Sequence, residues 1–145
     1  MIQFDYEHEL IPSVHQYFSA NASLIFYEVP IGYCRADMIV FGKNDNIIAV
    51  ELKLADWKKA LIQAQNYQLA VDYVYLAFPS KKCDLVLKRA EEKLKQNGIG
   101  LISVDEDTKQ VAQILNAKKS TIAFGRLSKR NLINQRKKVY RRKRL

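Results

Sequence analysis

Residues Ile47 to Lys53 read I-I-A-V-E-L-K, and the expected arrangement of the whole chain grows from this stretch. Its Ile and Val residues favour a strand. In a strand alternate side chains share a face, so Glu51 and Lys53 project together while Leu52 points the other way. A carboxylate and an ammonium closing an apolar strand are costly to desolvate unless the protein uses them. Asp37 stands fourteen residues before Glu51 and opens a second apolar strand, D-M-I-V-F at Asp37–Phe41. Between them, Gly42–Asn46 (G-K-N-D-N) has the residues that tolerate the backbone angles of tight loops. A hairpin of this kind would bring Asp37 near Glu51, gathering two carboxylates and a lysine at one end of a sheet.

Upstream, Tyr6–Ser19 predicts a helix whose apolar stripe is Leu10, Ile11, Val14 and Phe18. Pro12 is tolerated only in a first turn, so regular helix is expected from near Ile11, with Tyr6–Leu10 as a separate turn. Leu24–Val29 reads as a strand, Pro30–Gly32 as a turn and Tyr33–Phe41 as the next strand; with Ile47–Lys53 they predict an antiparallel meander. Downstream, Asp56–Val71 predicts a helix with Trp57, Ala60, Leu61, Ala64 and Val71 on one side. Tyr73–Phe78 is a short, continuously apolar strand, of the kind buried on both faces. Lys82–Gln96 follows as an amphipathic helix ended by Asn97-Gly98, then Ile99–Val104 as a strand. After the acidic turn Asp105–Lys109, Val111–Leu115 is expected to return as an edge strand. This order predicts an α/β fold, a mixed central β-sheet flanked by helices.

A chain of 145 residues suits one domain with a proper core. No apolar run approaches the roughly 18 residues of a membrane span. The first residues, M-I-Q-F-D-Y-E, lack the basic-then-apolar pattern of a signal peptide, so a cytoplasmic location without membrane attachment is expected. Cys34 and Cys83 form no C-x-x-C pair and read as small core residues in a reducing compartment. His8 and His15, seven apart, read as polar-face residues rather than zinc ligands.

The net charge of +9 is unevenly placed. Ten of the 24 Lys and Arg follow Gly125, at Arg126, Lys129, Arg130, Arg136, Lys137, Lys138, Arg141, Arg142, Lys143 and Arg144, and no acid accompanies them. The remaining 14 face all 15 acids, so residues 1–125 carry a formal charge of about −1. The chain therefore divides into a nearly neutral body, residues 1–125, and a basic tail, residues 126–145. Nucleic acid is the leading partner for such a tail, because each phosphate contact releases counterions. A solvated tail that aids solubility or meets an acidic protein is the other reading.

Three more residues bear on chemistry. Glu7 precedes Leu10 and Ile11 by three and four positions, which puts an acid on the apolar stripe of the first helix. Gln63 and Tyr67 lie one turn apart on the helix after the E-L-K strand, placed to orient a substrate phosphate or a catalytic group. Taken together, R-A-D-M-I-V-F, I-I-A-V-E-L-K and a helix carrying Q-A-Q-N-Y resemble the PD-(D/E)xK nuclease superfamily. This is the restriction-endonuclease-like fold, which also includes Holliday-junction resolvases and RecB-type nucleases. The resemblance spans roughly Tyr6 to Val104, and Ala36 stands where the family's name has proline.

By position, the resemblance implies that Asp37 and Glu51 bind Mg²⁺ or Mn²⁺ with the backbone carbonyl of Leu52, and that Lys53 is the catalytic lysine. It also implies that Glu7 is the acid of the first helix and that Gln63 and Tyr67 form the Q-x-x-x-Y element of the RecB-like branch. Carboxylate oxygens are hard ligands suited to such metals. The expected activity is metal-dependent hydrolysis of phosphodiester bonds in nucleic acid, DNA before RNA, with a homodimer or larger complex compatible with it. The competing expectation is a non-catalytic nucleic-acid-binding protein, or a subunit of a repair or defence complex, on a nuclease-like scaffold. No base-reading motif selects a junction, flap, single strand or duplex.

Overall fold

Pro12 shapes the start of the chain. In the computed structural model, which describes residues 3–121, a 3-10 turn at Glu7–Leu10 precedes helix α1 (Ile11–Ser19), with Pro12 in its first turn. Nine residues are too few for a helix stable by itself. Leu10 and Val14, both fully buried, hold it against the sheet, and each such burial is worth about 1.5–3 kcal/mol. The boundary at Gly125 and the ten cations from Arg126 to Arg144 lie outside the described residues.

The strands are β1 (Ala22–Ile31), β2 (Cys34–Gly42), β3 (Ile47–Leu52), β4 (Tyr73–Pro79), β5 (Gly100–Val104) and β6 (Val111–Leu115). They form one six-stranded sheet in sequential order. The first three are an antiparallel meander, β3–β4–β5 are parallel, and β6 returns antiparallel at the edge. Helices α2 (Trp57–Tyr67) and α3 (Ser80–Asn97) make the two parallel crossovers. They cover one face with Ala60, Ala64, Tyr67, Cys83, Val86, Ala90 and Leu94. The 3-10 turn and α1 cover the other, against Met38, Val40, Val50 and Leu52. The fold is thus the expected α/β arrangement, a mixed sheet flanked on both faces and consistent with a restriction-endonuclease-like core.

Several boundaries shift for identifiable reasons. The β1–β2 turn falls at Gly32-Tyr33 rather than Pro30–Gly32, because Gly32 alone supplies the positive φ (60°) of the turn, and Ile31 pairs with Cys34. Pro30 is accommodated inside β1 because that strand is an edge. Helix α2 stops at Tyr67, where three-residue turns close Leu69 N on Asn66 O and Ala70 N on Tyr67 O, so Val71 is buried in the connection. Asp72 then accepts from the Ile47 N–H at 2.8 Å. Helix α3 begins at Ser80, two residues early, because Glu106 from the β5–β6 turn accepts from the Ser80 hydroxyl and the Lys81 N–H. Cys34, expected in the core, is only half-buried, whereas Cys83 is buried.

Gly100 tests how tightly β4 and β5 are fitted. A Cβ there would lie 2.3 Å from ring carbons of Tyr75 and 2.9 Å from the Ala117 backbone nitrogen. Tyr75 is not free to turn away, since its ring also packs on Phe18. Gly100→Ala is expected to destabilise the fold by about 1–3 kcal/mol, read as a lower urea midpoint at unchanged m-value. An unchanged midpoint would show that the Tyr75 ring has room to move.

Candidate active site

The β2–β3 register pairs Met38 with Val50, so the next positions outward set Asp37 beside Glu51. On β3 the residues Ile47, Ala49 and Glu51 face α2 and α3, while Val50 and Leu52 face α1. Glu51 therefore ends an apolar row under a helix, and it is only 3 % exposed. Lys53 lies just past the strand, held by its N–H on the Ala77 carbonyl at 3.0 Å, and its ammonium reaches back to Glu51 Oε2 at 3.6 Å. Asp37 Oδ2 accepts from the Leu52 N–H at 2.7 Å. The Leu52 side chain is buried on the opposite face, so only its backbone belongs to this cluster.

Helix α2 fixes the cluster from above. Asp56 caps it, accepting from the Lys59 N–H, and directs its first turn over the end of β3. At its other end Tyr67, fully buried, donates its hydroxyl to Glu51 Oε1 at 2.8 Å and lies 2.9 Å from the Arg35 carbonyl. The neighbouring Asn66 donates to the Ile31 carbonyl at 3.0 Å. The last turn of α2 therefore clamps the β1–β2 hairpin and the Glu51 carboxylate at once. One turn earlier Gln63 faces the same space, and its Oε1 is buried without a hydrogen-bond partner among the described residues.

That space is a cleft of about 750 Å³ with Asp37, Glu51 and Lys53 at its floor. Glu7 also borders it, but as an exposed residue of the 3-10 turn rather than on the inward stripe expected from helical spacing. Glu7 is the first residue of that turn, which ends at Leu10 before α1 begins, so it is not part of the helix whose spacing set the expected stripe. Glu9 is occupied elsewhere, accepting from the Asp5 and Tyr6 N–H groups at the start of that turn. Among the described residues, no three His, Cys, Asp or Glu side chains gather as a metal-binding group. The acidic donors at the floor are Asp37 and Glu51.

The walls carry residues that sequence reasoning missed. Glu28, Tyr33 and Arg35 come from the β1–β2 hairpin, and Lys58, Lys59 and Ile62 from α2. The α2 residues could have been found, since a helix starting immediately after the E-L-K strand must carry its first turn over that strand's end. Glu28 had no signal: it adopts a positive φ (52°) inside an edge strand and pairs with Arg35 at 3.9 Å.

Burial governs the electrostatics. It pushes the Glu51 carboxyl up to about 7, helped by the charge of Asp37 and opposed by the Tyr67 hydrogen bond and Lys53. Asp37 is raised as well, first by burial and then by the charge of Glu7, against the Leu52 N–H and Lys53. The Tyr67 phenol is driven upward by burial and by Glu51, so it serves as a hydrogen-bond donor near neutrality.

These shifts have a definite sign. The folded protein keeps a proton on Glu51 that the unfolded chain releases between pH 4.5 and about 7. The stability associated with neutral Glu51 is therefore full below that window and is lost as pH rises through it. In a divalent-metal chelator, the melting temperature should fall from pH 5 to pH 8, and Glu51→Gln should flatten much of that fall. A Glu51→Gln protein with the wild-type pH slope would show that Glu51 is ionised in the fold.

No model of a known protein family matches the chain, and no curated protein matches it in sequence. Solved structures do. A protein of unknown function from Silicibacter pomeroyi superposes with a TM-score of 0.69 at 19 % identity, over 96 % of this chain and 90 % of that one. A repair endonuclease from Pyrococcus abyssi superposes with a TM-score of 0.50 at 21 % identity, over 72 % of this chain and half of that one. At such identities the likeness is one of fold, and a repair endonuclease is among the proteins that share it.

Proposed function

We propose that this chain is a metal-dependent nuclease of the PD-(D/E)xK superfamily that hydrolyses phosphodiester bonds, with DNA as the favoured substrate. The observation that carries the reading is Glu51, a carboxylate buried beside Asp37, tied to Tyr67 and Lys53, at the floor of an open cleft. A purely structural ion pair has no need of a second carboxylate, which raises the cost of ionising the first.

The donor set fits Mg²⁺ or Mn²⁺. Both desolvated carboxylates are held back from ionising by burial, Glu51 also by the charge of Asp37 and Asp37 also by that of Glu7. A hard divalent cation would relieve them, and Asp37, Glu51 and the Leu52 carbonyl would hold it. When bound, such an ion polarises the phosphodiester and neutralises charge that builds on its oxygens. The protein's own groups do the rest. Lys53 Nζ, at 3.6 Å from Glu51, is placed to orient the attacking water or to donate to a phosphate oxygen. Tyr67 holds Glu51 in one orientation through the 2.8 Å hydrogen bond. Gln63 lines the same cleft, and it would orient the water or the substrate once its carbonyl oxygen, buried and unpartnered among the described residues, turns toward that space. Glu7, on the same cleft, would add negative charge near Asp37.

The basic tail would contribute affinity for phosphates. Lys118 and Ser120 donate from their backbones to Gly98 and Asp72, so the chain leaves the described region beside the starts of β4 and β5. This is the end of the parallel strands opposite to Glu51. Six strand residues separate the two ends by roughly 20 Å, and the 24 residues from 122 to 145 could span about 80 Å if extended. The tail is long enough to reach substrate seated in the cleft or nucleic acid running beyond it.

Cleavage of end-labelled single-stranded, duplex and branched DNA, and of RNA, tests the reading with Mg²⁺ or Mn²⁺. Asp37→Asn and Glu51→Gln should abolish cutting, and Lys53→Met should slow it by about 10²–10⁴-fold. Tyr67→Phe, which leaves the carboxylates in place, should cost about 10–100-fold. Full cutting by Glu51→Gln, or metal-independent cutting, would overturn the assignment. Salt-sensitive binding with no cutting of any substrate would favour the non-catalytic scaffold. Replacing the tail cations by Gln in the full chain should lower the salt dependence of binding by about 0.9 per lost duplex phosphate contact, while leaving kcat unchanged.

A further inference from the structure

Among the exposed large hydrophobic side chains of the described residues, Tyr33 stands wholly in water, at 106 % relative exposure. It stands at the tip of the β1–β2 hairpin, where it contributes no burial to the fold. The tip is nevertheless held firmly. Gly32 supplies the positive φ that closes the two-residue turn, Ile31 pairs with Cys34, and Asn66 and Tyr67 anchor the two flanking carbonyls to α2. So constrained a turn fixes where the Tyr33 side chain leaves the backbone, while the ring itself is free to turn onto a ligand.

Across the cleft, Ile62 is 68 % exposed on α2, one turn after Lys58 and Lys59 and beside Gln63. Tyr33 and Ile62 thus offer apolar surface from two walls of one cleft, with Arg35, Lys58 and Lys59 bordering the same space. The combination of an aromatic face, an aliphatic surface and nearby cations suits a nucleotide whose base is free and whose phosphates run past the basic groups. A duplex does not use it well, since its bases are already paired and stacked on one another. In an unpaired strand every base has an exposed face that can stack on tyrosine.

We propose that Tyr33 and Ile62 form a base-contact subsite, so that the cleft takes an unpaired segment of nucleic acid. Tyr33 stacks on a base next to the phosphate at Asp37 and Glu51, and Ile62 bounds that base from the α2 side. The inference rests on the nucleic-acid reading of the same cleft, and it narrows the substrate to single-stranded or locally unpaired chains.

The test is binding of a fluorescent single-stranded DNA oligonucleotide, an abasic strand of the same length and a duplex, to the full chain in Ca²⁺ at about 0.2 M salt, which weakens tail-only binding. The readout is the ratio of intact-strand to abasic-strand affinity, in which the tail's phosphate contacts cancel. The wild-type protein should prefer the intact strand by on the order of tenfold. Tyr33→Ala should remove most of that preference, Tyr33→Phe should keep it, and Ile62→Ser should reduce it. Duplex affinity and the urea midpoint should not move with Tyr33→Ala. An unchanged ratio in Tyr33→Ala, or an equal loss for the duplex, would overturn the subsite. Parallel cleavage assays separate the two ideas. Metal-dependent cutting with a Tyr33-insensitive ratio removes the subsite and leaves the nuclease. A Tyr33-dependent ratio without cutting removes the nuclease and leaves the subsite.

Discussion

Glu51 sits at the end of an apolar row under α2, at the floor of the cleft, where only 3 % of its surface meets water and its charge is poorly solvated. Leaving a carboxylate there unpaired would cost several kcal/mol. The surrounding structure limits that cost without removing it. Tyr67 donates one hydrogen bond and Lys53 stands 3.6 Å away, yet burial, with the charge of Asp37 added to it, still pushes the carboxyl up to about 7. The residue is therefore held in a condition where a proton and a lysine compete for the same carboxylate. Such poise is a property of sites that do chemistry more often than of sites that only hold a fold together.

Helix α2 makes this arrangement possible. Its first turn lies over the end of β3, its middle exposes Gln63 and Ile62 to the cleft, and its last turn reaches the hairpin through Asn66 and the carboxylate through Tyr67. A single rigid element thus sets the floor of the cleft and its hairpin wall. The small residues Ala60 and Ala64 on the same helix, both fully buried, let it approach the sheet closely enough for the Tyr67 hydroxyl to reach Glu51. The opposite end of the sheet is built for closure instead. There Asp72 accepts from the Ile47 N–H with its carboxylate and from the Ser120 N–H with its backbone carbonyl, and the Ser120 hydroxyl bonds to the Gln68 carbonyl. The open, charged end and the closed, fully bonded end are separated by the length of the parallel strands.

Much of this was legible because it is local. The two-residue period of Ile47–Lys53 placed Glu51 and Lys53 on one face, the Gly42–Asn46 turn brought Asp37 opposite Glu51, and the helical spacing of Gln63 and Tyr67 put both over that strand. Pro12 announced the break between the 3-10 turn and α1, and Val111–Leu115 appeared as an edge strand with the expected bounds. What escaped were contacts between residues far apart in the chain. Glu106 extends α3 by capping it from another turn, Tyr75 fills the space that Gly100 leaves, and the hairpin wall carrying Glu28, Tyr33 and Arg35 meets α2 only in three dimensions. The exposed position of Glu7 is a smaller miss, since it lies in the four-residue 3-10 turn before α1 and not on the helix itself.

The sequence by itself determined the order and type of the elements, the mixed α/β sheet, and which carboxylates and lysine share one strand end, because side-chain periodicity and turn chemistry act over a few residues. Only the tertiary structure decided how deeply Glu51 is buried, which hydroxyl meets it, and which side chains surround the cleft above it. Burial and hydrogen-bond partners are set by elements that are distant in the chain and adjacent in space, and no short-range pattern encodes the distance at which they come to rest.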